Sequence, residues 1–335
     1  MTTEATTPGN PLALRTDMRR RFLAGTGSSL LLGMLANSPA AFAGELLAQA
    51  QAPAAADNGK PVYEPRRGQS GKDVIWIPTP DRLVARMLQL AGLTRDDYLI
   101  DLGSGDGKIV IAAARDFGVS GLGIEYNPDM VELSKRNAQA AGVGELARFE
   151  KADIFESDFS RATVITMYLL PHLNMKLRHR LLALKPGTRI VSHEFRMGSW
   201  VPDETSRVGG ASAHLWLVPA NVGGDWQIHF PQRSGPVSLA MSVEQTFQNF
   251  RGRVVFEHFE TGFRDHKVHG ERVRFAFTDS DGRLRRFDGL VDGDRIEGDV
   301  FDGSERARFS AERKGPAPAI GGSSPAQESE MYEQS

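Results

Sequence analysis

Residues 99–114 read Leu99-Ile100-Asp101-Leu102-Gly103-Ser104-Gly105-Asp106-Gly107-Lys108-Ile109-Val110-Ile111-Ala112-Ala113-Ala114. A short apolar run passes through alternating glycines and leaves as an apolar stretch with helical composition. Glycine tolerates positive φ and lets a ligand approach bare backbone. A glycine turn between a parallel strand and a helix lies at the carboxyl edge of the sheet, where open α/β folds bind nucleotides. Dinucleotide-binding folds use G-x-G-x-x-G and seat a pyrophosphate on the helix N-terminus. Here the glycines are spaced G-x-G-x-G, and Asp101 stands two residues before the first. A carboxylate there repels a pyrophosphate and suits a cation or an ammonium group.

The flanking text extends the α/β pattern. Val74-Ile75-Trp76-Ile77-Pro78 is apolar and extended, and Thr79-Pro80-Asp81 predicts a helix start with Thr79 as cap and Pro80 at the first helical position. Leu83, Val84, Met87, Leu90 and Ala91 then recur at helical spacing. Strand one is expected over Tyr98 to Leu102, with a buried helix from about Asp106 to Phe117. Gly121 to Glu125 is a second strand ending in an acid. Vicinal ribose hydroxyls need a bidentate acceptor at that position, so Glu125 is the expected ribose ligand, with Tyr126 beside it. Asn127-Pro128-Asp129 caps the next helix. Further strands are expected at Ala147 to about Phe155, Ala162 to Tyr168, Gly187 to His193 and Ala213 to Pro219, with a basic helix over Met175 to Leu184.

Asp101, Gly103, Gly105 and Gly107 match D/E-x-G-x-G-x-G, and the segment resembles motif I of the class I S-adenosylmethionine (SAM) methyltransferases. The resemblance covers roughly residues 74–220. It implies a Rossmann-like α/β sheet with flanking helices and SAM as cofactor. It also implies that Asp101 organises contacts to the cofactor amino group, and that Asp153 and Ile154 receive the adenine. The implied cofactor set is Asp101, Gly103, Ser104, Gly105, Asp106, Gly107, Glu125, Tyr126, Asp153 and Ile154. Within the superfamily, Ile77-Pro78-Thr79-Pro80, residues 101–111 and Tyr168-Leu169-Leu170-Pro171 look most like the small lysine methyltransferases of the ATP synthase c-subunit type. The chain lacks the N/D-P-P-Y motif that some relatives carry after strand four. Amine recognition through that motif therefore does not carry over.

An acceptor lysine must lose its proton before it can attack, helped by burial or a nearby acceptor. Tyr168, His172, Asn174 and His193 stand near the strand-four and strand-five ends and are the catalytic candidates. Each has a plainer role: Tyr168 as a cofactor wall, His172 and Asn174 as helix-start residues with Asn174 a cap, and His193-Glu194 as a loop pair. No H-x-x-H spacing predicts a metal site.

The 335 residues are 40% hydrophobic and 24% charged, with a formal net charge of -2. That balance supplies no polyelectrolyte reason for nucleic-acid or membrane binding. The absence of cysteine excludes disulfides, zinc thiolates and thiol catalysis. Residues 1–43 read as a signal peptide: Met18-Arg19-Arg20-Arg21-Phe22-Leu23 leads into a weakly apolar run and then Ala41-Phe42-Ala43. The Arg-Arg-x-Phe-Leu core resembles a twin-arginine signal, which implies periplasmic export of a folded protein, or a cytoplasmic one where the signal is unused. The run falls short of the roughly 18 apolar residues of a membrane span. Residues 44–72 read as linker, 73–220 as the SAM-binding domain and 315–335 as a disordered tail.

Residues 221–314 change character. Apolar alternation recurs in short segments punctuated by Asp281-Gly282, Asp288-Gly289, Asp292-Gly293 and Asp302-Gly303. They predict seven or eight antiparallel strands in a barrel or sandwich with a phenylalanine core. The functional expectation is a SAM-dependent methyltransferase acting on a protein lysine or a small-molecule acceptor. A non-catalytic module that binds a nucleoside-like ligand and presents the β-domain is the alternative, and the glycine spacing disfavours an NAD-linked reductase.

Overall fold

The computed structural model describes residues 63–321. The expected signal peptide, residues 44–62 of the expected linker and residues 322–335 lie outside the described residues. The first half is built from α1 (Asp81–Leu90), β1 (Tyr98–Leu102), α2 (Lys108–Phe117), β2 (Ser120–Glu125), α3 (Pro128–Ala140), β3 (Ala147–Lys151), β4 (Val164–Met167), α4 (Pro171–Leu182), β5 (Arg189–His193), β6 (Glu204–Val208) and β7 (Ala211–Leu217). They form one seven-stranded sheet in the order β3-β2-β1-β4-β5-β7-β6. The first five strands are parallel to their neighbours, and β7 runs antiparallel to both β5 and β6. The strand order reverses at β1, between β2 and β4, which puts the glycine turn at the switch point where such sheets open a crevice.

Local chemistry accounts for the elements. Six consecutive apolar residues of α2, Ile109 to Ala114, are buried, leaving the helix nothing to show to solvent there. Asn127 caps α3 by accepting from the backbone N–H of Asp129 at 2.9 Å. Three expectations need correction. Thr79 does not cap α1: Pro80 takes the cap position, and the Thr79 hydroxyl is bonded elsewhere. Helix α4 starts at Pro171 rather than Met175, so Asn174 lies inside it, fully buried, donating to the carbonyls of Phe195 and Arg196. Strand β6 has no counterpart in the sequence reading, because as an edge strand it buries none of its residues and carries no apolar alternation.

The second half is a meander of nine antiparallel strands: β8 (Gly224–Gln232), β9 (Gly235–Thr246), β10 (Asn249–Val255), β11 (Glu260–Gly262), β12 (Arg264–His269), β13 (Arg272–Thr278), β14 (Leu284–Asp292), β15 (Arg295–Phe301) and β16 (Arg306–Lys314). The sheet curls until its edge strands approach. The edge strands β11 and β12 follow one another through Phe263, whose N–H donates to Gly252 O of β10 at 2.9 Å in continuation of the β10–β11 ladder, and the domain is a nearly closed barrel. Its interior is the expected phenylalanine core, with Phe275, Phe277 and Phe287 stacked at centroid distances of 4.8–6.4 Å. Asp288-Gly289 is not a turn. It lies within β14, where Gly289 faces Gly298 and leaves room for the Phe309 ring, which a Cβ on Gly289 would meet at 2.9 Å.

The barrel is fastened to the first sheet by Phe247. This residue turns the β9–β10 hairpin at φ 53°, stacks on Trp200 at 5.9 Å and sits 5.2 Å from the Arg178 guanidinium. Gln248 donates to Val201 O at 2.6 Å beside it. The first part of the expected disordered tail is also packed: Asn221 donates to Pro318 O, and Ile320 rests against the same core. Among the described residues no helix is long and apolar enough to cross a membrane. Phe247→Ala opens a cavity at this junction and is expected to cost about 3–5 kcal/mol, read as a lower midpoint in urea denaturation of the full chain.

Candidate active site

The acids Asp101, Glu125 and Asp153 stand at or just beyond the carboxyl ends of β1, β2 and β3. Asp101 lies on β1, opposite Thr166 of β4 and Gly123 of β2 in the ladder. Its carboxylate is 2% exposed, and the Thr166 hydroxyl donates to it at 2.7 Å. Burial, with repulsion from Asp106 and Glu125 adding to it, pushes the Asp101 carboxyl up to about 7 against the pull of that hydrogen bond. Asp106 is raised as well, again chiefly by burial.

The glycines divide into two roles. Gly103 and Gly105 border the cleft at φ 79° and 56°, and a Cβ on Gly105 would meet Trp76 Nε1 at 2.7 Å. Gly107, expected to contact cofactor, lies behind the loop instead. A Cβ there would meet the Phe149 ring at 2.7 Å and Ser134 Cβ at 2.9 Å, so its glycine is required by helix–sheet packing. Ser104 lines the cleft, but its hydroxyl points toward Gly123, buried and without a hydrogen-bond partner among the described residues. Glu125 is bound to the turn it faces: one carboxylate oxygen accepts the Gly105 N–H at 3.0 Å, the other the Asn127 N–H at 2.9 Å. Each oxygen keeps a lone pair for a ligand hydroxyl.

One cleft gathers nine of the ten expected cofactor residues: Asp101, Gly103, Ser104, Gly105, Asp106, Glu125, Tyr126, Asp153 and Ile154, with Gly107 left out. Asp153 accepts the Phe155 N–H at 2.9 Å and pairs with Lys72, whose ammonium also lies 4.8 Å from the centre of the Tyr126 ring. The Lys72 partner is the main reason the Asp153 carboxyl sits below the ordinary range.

Of the catalytic candidates, the structure brings only Tyr168 to the cleft wall. His172 is on the exposed face of α4, and Asn174 is buried in packing. His193 lies behind Tyr168, its ring centroid 3.7 Å from the tyrosine's, and burial pushes its imidazole down to about 4. Glu194 leaves the site: at φ 63° it turns away and accepts the Ser212 N–H at 2.9 Å.

Sequence reasoning missed part of one wall. The end of the stretch read as linker is a small hairpin, in which Trp76 donates to Gln69 O at 2.9 Å and Gly68 to Trp76 O at 2.8 Å. Residues 69–79 run along the cleft and put Trp76 over the glycine turn. Residues 74–78 are the apolar extended segment of the sequence reading, whereas residues 68–72, which complete the hairpin, fall in the stretch read as linker because they carry no apolar period. Phe195, just beyond β5, completes the wall beside Tyr168.

The cleft chemistry fits SAM. A buried carboxylate bonded to a hydroxyl rather than a cation suits the ammonium, glycines clear the backbone, and an acid stands at each of the next two strand ends.

The family model described as "ANTKMT methyltransferase domain" matches residues 101–204. A protein-lysine N-methyltransferase of Saccharolobus islandicus is 44% identical over 137 residues, which are 40% of this chain and 85% of that protein. The mouse lysine N-methyltransferase named for the ATP synthase c-subunit is 33% identical over 135 residues, which are 40% of this chain and 54% of that protein. The solved structure of an RNA methyltransferase from Salinibacter ruber, in complex with S-adenosyl-L-homocysteine, is 50% identical over 44% of this chain and 96% of that one, at a TM-score of 0.43. The family model ends before the barrel begins. The chain belongs to the protein-lysine N-methyltransferase family of class I SAM-dependent methyltransferases.

Proposed function

We propose that the protein transfers a methyl group from SAM to a lysine side chain of a protein substrate. The observation that carries this reading is the convergence of Asp101, Glu125 and Asp153 on one glycine-floored cleft. The archaeal and mouse relatives, both named as lysine methyltransferases, supply the acceptor class. SAM bound there supplies a methyl on a sulfonium sulfur, a leaving group good enough that positioning and desolvation set the rate. Asp101 faces the ammonium, Glu125 takes the ribose hydroxyls, and Asp153 with Ile154 takes the adenine. Gly103 and Gly105 let the methionine portion lie on the backbone. The strand order puts Glu125 and Asp153 on one side of β1 and Tyr168 on the other, so the acceptor amine comes in along Tyr168 and Phe195. There the amine, once its ammonium proton has left to solvent, would attack the methyl carbon with its lone pair as the carbon–sulfur bond breaks.

We also propose export through the twin-arginine-like segment around Arg19-Arg20. Export in the folded state lets the protein leave the cytoplasm with its cofactor already bound.

SAM binding is expected by calorimetry on the protein without residues 1–43. Asp101→Ala or Glu125→Ala is expected to weaken it by on the order of 100-fold, the worth of a charge-assisted hydrogen bond lost. Labelled SAM with poly-L-lysine should give labelled lysine on hydrolysis, and binding without transfer would reduce the protein to a ligand-binding module.

The buried acid makes affinity and stability depend on pH in opposite ways. Folding raises Asp101 from 3.8 to about 7, so the folded state holds the proton more tightly, and stability from this group falls as pH climbs through that interval. Asp101→Asn should therefore melt above the parent at pH values beyond about 7, with the gain shrinking toward about pH 4. A cationic ligand needs the ionised form, so SAM affinity should rise between about pH 6 and about pH 8.

For the export proposal, N-terminal sequencing of the periplasmic fraction should find a mature chain beginning at Gly44. An intact N-terminus confined to the cytoplasm would refute it.

A further inference from the structure

Thr79, His193 and Tyr168 come from three separate parts of the chain and meet at the acceptor side of the cleft. Thr79 ends the cleft-lining segment 69–79, His193 ends β5, and Tyr168 follows β4. Thr79 and His193 are each 5% exposed, and the Thr79 hydroxyl and His193 Nδ1 share a hydrogen bond of 3.0 Å. The imidazole lies against Tyr168 with 32° between the ring planes. On its other side Tyr168 stacks toward Phe195 at 6.2 Å, and the Phe195 carbonyl is held by the Ser192 hydroxyl at 2.7 Å and by the Asn174 amide at 3.3 Å.

The choice of residue has a physical reason. Phenylalanine at 193 would stack on Tyr168 but could not bond Thr79, and asparagine would bond Thr79 without offering a ring. Only an aromatic side chain with a ring nitrogen does both. Burial keeps this imidazole uncharged, so it puts no positive charge behind the wall along which a lysine amine must approach a sulfonium. Thr79 has a strong preference to cap a helix, yet its hydroxyl is spent on His193 and α1 starts without a side-chain cap.

We propose that His193 is a positioning residue which, anchored by Thr79, fixes the Tyr168 ring as the wall along which the acceptor lysine's aliphatic chain lies. The assignment rests on the methyltransferase reading above.

The test uses Thr79→Val, Thr79→Ser and His193→Phe in the chain without residues 1–43, with SAM binding by calorimetry and single-turnover methylation of poly-L-lysine. The readout independent of turnover is NMR of tyrosine-labelled protein: the chain has five tyrosines, and Tyr168→Phe identifies the signal shifted by the His193 ring. Thr79→Val and His193→Phe are expected to move the Tyr168 resonance and to slow methyl transfer by about tenfold or more, as misplacement of a reacting group does. SAM affinity should stay unchanged, and Thr79→Ser, which keeps the hydroxyl, should restore both readouts. An unmoved Tyr168 resonance and an unchanged rate in Thr79→Val would overturn the assignment. So would parallel loss of SAM affinity, which would mark a structural defect of the whole cleft. Failure of the parent protein to bind SAM would instead overturn the methyltransferase reading, and the NMR arm would still decide whether Thr79 and His193 hold Tyr168.

Discussion

A carboxylate buried at the end of the central strand constrains everything around it. Among the described residues Asp101 has one hydrogen-bond partner for its side chain, the Thr166 hydroxyl, and two acidic neighbours that oppose its charge. An ionised acid in that position is expensive unless a cation arrives. The sheet bears the cost because a parallel strand at the switch point presents its last side chains to a crevice. Gly123 beside Asp101 leaves the space that Ser104 fills, Gly107 lets Phe149 close the back of the turn, and Glu125 pins Gly105 from the next strand. The loop is thus held by packing from behind and hydrogen bonds from one side, leaving its open face for a ligand.

The cleft has two unequal walls. On the β2–β3 side the groups are acids, ready to accept from hydroxyls and an amino group. On the β4–β5 side they are rings: Tyr168, Phe195 and the buried His193. A polar, hydrogen-bonding ligand portion belongs to the first wall and an aliphatic chain to the second. Segment 69–79 runs past both, with Lys72 on Asp153 at one end and Thr79 on His193 at the other. Its two ends therefore register the two halves of the site.

The barrel has a different relation to the chemistry. Its interior is filled with phenylalanine rings, and its hairpin tip, Phe247, is buried in the core beneath α4 and the segment after β5. Those are the elements that carry Asn174 and the Phe195 loop. The barrel is thereby packed against the elements that carry Tyr168 and Phe195, including β4, the four-residue strand that leads into Tyr168.

The sequence by itself determined what depends on local chemistry and period. The glycine turn with its preceding acid, the acids closing strands two and three, the Asn127 cap and the alternating strands of the second half all follow from a few adjacent residues each. Tertiary structure alone decided whatever depends on residues far apart in the chain. It turned Gly107 toward Phe149, sent the Thr79 hydroxyl to His193 instead of a helix end, drew Asn174 into the core, and folded the end of a stretch that reads as linker into a hairpin that continues one wall of the cleft. The physical reason is that a hydroxyl, an amide or a glycine satisfies its local preference only when no distant partner offers a better bond or a tighter fit, and distant partners are not written in neighbouring letters.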